Sequence, residues 1–152
     1  MDEANSLVNV VFSGLPALVV EDVVDGGEVV RVTARTRDEP VPCPVCGVPT
    51  SKVHGYHRRT VADMPVDGRP VMVRVRVRRL VCPRQTFREQ VPGLLERLQR
   101  RTTCLTRQVS QVVKELCGRA SARLSRALAA PVSYATALRP TPPPHPPPIA
   151  GT

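Results

Sequence analysis

The sequence predicts an α+β chain, and three observations carry that reading. Valine-rich stretches alternate with polar residues up to residue 90, separated by Asp-Gly turn signals, which is the period of strands. From Leu94 onward the apolar residues recur at steps of three or four, the period of helices. The last segment, PTPPPHPPPIAGT, has seven prolines in its first nine residues and forms neither. The expected division is a β domain at 1–90, a helical segment at 91–139 and a disordered Pro-rich tail at 140–152.

Within the β domain, Ala17 to Val24 and Glu28 to Thr36 read as two strands joined at Asp25-Gly26-Gly27, a strong hairpin signal. Acidic residues decorate this hairpin. Ser51 to Val61 reads as a third strand, and Asp67-Gly68-Arg69-Pro70 as a turn. The clearest strand follows as VMVRVRVRRLV. Val71, Val73, Val75 and Val77 fall on one face and Arg74, Arg76 and Arg78 on the other. Such a ladder advances about 7 Å per arginine and suits a phosphate backbone. It equally suits an edge strand charged against aggregation.

In the helical segment, Leu94, Leu95, Leu98, Leu105, Val109, Val112, Val113 and Leu116 predict a short helix and then a longer one ending near Gly118. Residues 120–129 form a further helix and Ala130-Pro131-Val132 a turn. Ser133 then caps a last short helix, Tyr134 to Leu138, stopped by Pro140. Helix, tight turn and capped helix in a basic segment fit a helix-turn-helix. Cys104 and Cys117 have no partner at ligand spacing and read as small apolar residues.

The core available to this chain is modest. Only 41% of residues are apolar, 3% are aromatic and there is no Trp, so a staple would help a domain this small. The fourteen residues from Leu7 to Val20 are the longest apolar stretch, but Asn9, Ser13, Gly14 and Pro16 interrupt them, which argues against a membrane span. With an odd count of five cysteines and an acidic, polar start, a reduced cytoplasmic setting is expected, where thiols suggest metal before disulfide. Charge is lopsided: residues 1–73 hold 7 basic against 10 acidic side chains, and residues 74–152 hold 15 against 3. Nearly all the basic ones are arginine, which forks onto phosphates and base edges. A half this basic points to nucleic acid.

The metal signal is CPVCG, Cys43 to Gly47. Two thiolates two residues apart can share one tetrahedral ion, Pro44 stiffens the loop, and Gly47 permits the tight backbone. A zinc ribbon closes with a second such pair, and here only Cys82 stands in its place. Cys43, Cys46 and Cys82 supply three thiolates for Zn²⁺. The fourth ligand is sought at His54, His57, water or a second chain, which brings in a homodimer. Zinc is expected to bind more weakly than at a four-cysteine site. His54 is the better histidine, being nearer the knuckle, although residues three apart on a strand face opposite ways unless Gly55 marks a bulge.

Several stretches together resemble the front of a bacterial insertion-sequence transposase of the ISL-three group. The residues that carry the likeness are CPVCG, His54, Arg59-Thr60, Asp63-Met64-Pro65, Gly68 to Val71, Arg78-Arg79, RQTFREQVPGL and RRTTCLTRQV, and it covers residues 7–139. The resemblance implies a zinc-finger segment and a helix-turn-helix that bind double-stranded DNA at transposon ends, in the bacterial cytoplasm on the nucleoid. Two departures stand out. The family's second knuckle holds two cysteines, which Cys82 replaces as if a deletion had fused them. The family also continues into an RNase H-like domain with three catalytic acids, which is absent from this sequence, so a truncated, non-catalytic front end is implied. The DNA-contacting residues expected are Arg74, Arg76, Arg78, Arg119, Arg123, Arg126 and Arg139, with Ser133, Tyr134 and Thr136 toward base edges. The alternatives are a zinc-ribbon protein that binds RNA or another partner, and, far behind, a thiol oxidoreductase using Cys43 and Cys46.

Overall fold

The computed structural model describes residues 2–12, 15–116 and 118–130. It opens with helix α1 (Asp2–Val11), which the sequence reading did not assign. Phe12, Leu15 and Leu18 after it are buried, while Leu7, Val10 and Val11 stay exposed, so its apolar spacing does not coincide with its buried face.

Strands β1 (Leu18–Asp25) and β2 (Val30–Thr36) form the expected hairpin. A Cβ at Gly26 would meet the Val29 carbonyl at 2.7 Å, and Asp25 Oδ1 accepts from the Gly27 amide at 2.8 Å. Two short strands follow, β3 (Val41–Pro42) and β4 (Pro49–Thr50), paired with each other around the knuckle. Next comes a long hairpin of β5 (Val53–Val66) and β6 (Arg69–Val81). Its two-residue turn puts Asp67 and Gly68 at φ 52 and 67, the left-handed pair that matches strand twist. Strand β7 (Thr86–Arg88) pairs with the end of β6.

The main sheet runs β1-β2-β6-β5, with β7 also on β6. It is mostly antiparallel, but β2 and β6 are parallel. Only a tight turn obliges neighbours to run antiparallel, and here the knuckle and all of β5 intervene between them. The valines read as one face, Val71, Val73, Val75 and Val77, are all buried with Val30, Val32, Ala34 and Val61.

That valine layer is covered by Phe12, Leu15, Leu18, Val91, Leu94 and Leu95. The cover therefore draws on residues beyond 90, and with it comes a correction of the expected short helix. The stretch from Leu94 to Leu98 is not a helix but a set of turns, with Val91 bridging Leu95. Gly93 has φ 77 and Leu98 φ 65, conformations no right-handed helix accepts. Leu98 is 89% exposed.

The helix proper is α2 (Thr103–Leu116), followed by α3 (Gly118–Ala127). Leu105 and Val109 of α2 pack on Ala62 and Met64, the face of β5 opposite the valine layer. The chain reaches that side along the edge of β5: the Ala62 amide donates to Arg100 O and the Thr102 amide to Ala62 O, both at 2.9 Å. Thr102 then caps α2. Its hydroxyl accepts from the Leu105 amide at 3.3 Å and donates to buried Asp63 at 2.7 Å. Arg59 donates to the carbonyls of Glu96 and Gln99, at 2.9 Å each. The expected capped helix at 133–138 and the Pro-rich tail lie outside the described residues, as does Cys117. No helix among the described residues is long and apolar enough to cross a membrane.

Candidate functional site

The three thiols come together as the spacing suggests. Cys43 and Cys46 lie in the knuckle, where the Gly47 amide closes a turn onto Cys43 O at 2.9 Å with φ 70 at Gly47. Cys82 arrives from the end of β6, and Cys82 Sγ lies 3.4 Å from Cys43 Sγ and 3.8 Å from Cys46 Sγ. A tetrahedral ion with Zn–S bonds of about 2.3 Å holds its sulfurs about 3.8 Å apart, so the spacing fits zinc. Burial pushes the Cys43 thiol up. The amides of Cys46 and Val45, helped by Gln85 and Cys82, outweigh it and bring the thiol down to about 6. Cys46 moves the other way: the Val48 amide lowers it, but burial and the two neighbouring sulfurs prevail and raise it.

Among the described residues, the metal-ligating atoms gathered within 4.8 Å are those of Cys43, Cys46 and Cys82. His54 lies outside that group, exposed at the irregularity between Val53 and Gly55, and His57 is half-buried opposite Val77. The sequence reading missed Gln85, whose Nε2 donates to Cys43 Sγ at 3.4 Å.

The three members of the arginine ladder on β6 meet three different fates. Arg78 is 4% exposed and bound on two sides by Glu89, Nε to Oε2 at 2.9 Å and Nη2 to Oε1 at 2.8 Å, while Nη2 also donates to Glu39 O. Glu89 holds its guanidinium above the usual range. Arg78 is thus a strut between β6, the segment after β7 and the chain entering the knuckle, and it has no reach to solvent. Arg76 bonds Glu21 at 3.0 Å and lies 5.2 Å over the Tyr56 ring. Arg74 is exposed with no ion-pair partner among the described residues. On α3, Arg119, Arg123 and Arg126 are exposed along one stripe, opposite buried Ser121 and Ser125. Ser133, Tyr134, Thr136 and Arg139 fall outside the described residues.

Residues 39–84, from the knuckle through β6 to just past Cys82, match the family described as the zinc-finger of transposase IS204/IS1001/IS1096/IS1165. No curated protein and no solved structure matches the chain.

Proposed function

We propose that the chain is the DNA-binding N-terminal part of an insertion-sequence transposase, acting at transposon-end duplex. The observation that carries this reading is the zinc-finger match over residues 39–84, which contains all three clustered thiolates and both exposed and paired arginines of β6. When bound, zinc would tie the knuckle to the end of β6 through Cys43, Cys46 and Cys82 and supply folding energy to that end of the sheet. The fourth position is filled from outside this trio, by water, a histidine or a second chain. The role proposed is recognition, which is what a zinc-finger segment supplies. Such a protein works on the nucleoid, in the cytoplasm.

The test is a titration of zinc-loaded protein against labelled duplex carrying the element's terminal repeats, against scrambled duplex and against structured RNA, over a salt series. The expected result is binding to duplex that weakens steeply with salt, with the terminal repeats preferred. Preference for the RNA, or no binding to duplex at low salt, overturns the reading.

A further inference from the structure

We infer that the face of the sheet opposite the valine core is the surface that takes the DNA sugar–phosphate backbone, with Arg31, Arg58 and Arg74 as its free cations; this rests on the DNA-binding role proposed above. The register assembles that face from three separate parts of the chain. Thr33, Arg74 and Thr60 lie side by side on β2, β6 and β5, and Arg35, Arg76 and Arg58 form the next row. Arg31 stands beside Met72, one row back. Neighbouring strands are about 4.8 Å apart, so each row carries its polar groups across roughly 10 Å.

The edge-protection reading of these arginines does not survive the topology. β6 is a central strand with β2 and β7 on one side and β5 on the other, so there is no edge for Arg74 or Arg76 to guard. Like charges placed opposite one another across strands destabilise a sheet unless something offsets them. Part of the offset is built in: Glu21, at the irregularity between Val20 and Asp22, reaches Arg35 at 3.3 Å and Arg76 at 3.0 Å, and Asp38 reaches Arg35 at 2.9 Å. These contacts hold two guanidiniums in place. Arg31, Arg58 and Arg74 are exposed and have no such carboxylate among the described residues. A polyanion lying across the rows supplies the missing charge, and the hydroxyls of Thr33 and Thr60 flank Arg74 as further donors to phosphate oxygens.

The same face distinguishes duplex from single strand. Single-stranded binding relies on open aromatic platforms for bases. Tyr56 is 62% exposed here, but the Arg76 guanidinium already lies over its ring at 5.2 Å. What is left open is guanidinium and hydroxyl, the chemistry of backbone contact. The helical pair packs on Ala62 and Met64 of this same face, which places the α3 arginines on the same side of the sheet.

The test compares zinc-loaded wild type with R31Q/R58Q/R74Q and with R119Q/R123Q/R126Q, each titrated with the terminal-repeat duplex over a salt series. Each lost phosphate contact lowers the log–log salt slope by about 0.9, so the sheet-face triple is expected to lose 2 to 3 in slope, and its loss adds to that of the helix triple. If the sheet-face triple melts below wild type, Arg74→Gln alone replaces it, with a slope loss of about 0.9 expected. Wild-type binding with an unchanged slope in the sheet-face variants overturns this inference and leaves the DNA-binding role standing. Failure of wild type to bind duplex removes the role itself and the inference with it. Single-stranded DNA that competes better than duplex overturns the choice of occupant.

Discussion

The sheet and the helical pair are held together in different ways. The sheet buries an unbroken valine layer under Phe12, Leu15, Leu18, Val91, Leu94 and Leu95. The helical pair buries Leu105 and Val109 against Ala62 and Met64, and α3 turns inward with Ser121 and Ser125. Since burial of apolar area is the main favourable contribution, the sheet is expected to outlast the helices that pack on it. Beyond that small apolar contact, the chain leading into α2 is held by polar ones: Thr102 to Asp63, and Arg59 to the carbonyls of Glu96 and Gln99. A helical pair docked this way can be lost while the sheet persists.

Variants can break or sharpen that contrast. The largest effect is expected from Glu89→Ala, which strands Arg78 in a buried place and should cost about 3–5 kcal/mol in urea unfolding. Replacing both partners with apolar residues should recover most of that loss; no recovery would mean the pair does more than satisfy its own charges. Next comes a matched pair of truncations. Leu95→Ala should cost about 2–5 kcal/mol and lower the protection of the whole sheet in hydrogen exchange. Leu105→Ala should release α2 and α3 while the amides of Val71 to Val77 stay protected. If both variants unfold everything together, the contrast between the regions is wrong.

Smaller effects probe the joints. Thr102→Ala removes the cap of α2 and leaves Asp63 unpaired, and about 1–2 kcal/mol of helix protection should disappear. Chelation of the zinc-loaded chain should speed exchange in β3, β4 and around Cys82, with the valine layer little changed. Loss of the central strands on chelation would show that the metal, not the valine core, holds the sheet. The smallest effect concerns Asp25, whose carboxyl is held below the usual range by the Gly27 amide and then by Arg69. A lowered value means the contribution is present above the ordinary carboxylate range and fades as pH falls through the folded value. Asp25→Ala should therefore melt slightly below wild type at neutral pH and together with it in strong acid.

Much of this was legible in the residues. Asp25-Gly26-Gly27 and Asp67-Gly68 mark turns because glycine and aspartate tolerate the left-handed backbone those turns require. The alternation in β6 separated the apolar face from the basic one because side chains on a strand take opposite faces. CPVCG marked the knuckle because thiolate spacing is a local matter. Where the local pattern admitted two outcomes, it misled: Leu94, Leu95 and Leu98 have helical spacing, yet two of them cap the valine layer from turns and the third faces solvent.

Local chemistry determined by itself the strand period, the turns, the thiolate pair and the basic second half. Only the tertiary structure decided which arginine is buried and which is free. Arg74, Arg76 and Arg78 are indistinguishable along β6, sharing one face and one spacing. Their fates depend on Glu21 and Tyr56 beside Arg76, on Glu89 beside Arg78, and on Thr33 and Thr60 alone beside Arg74. Those neighbours come from distant parts of the chain. The environment of a charge is set by what folds against it, and a strand's own residues encode its faces but not its company.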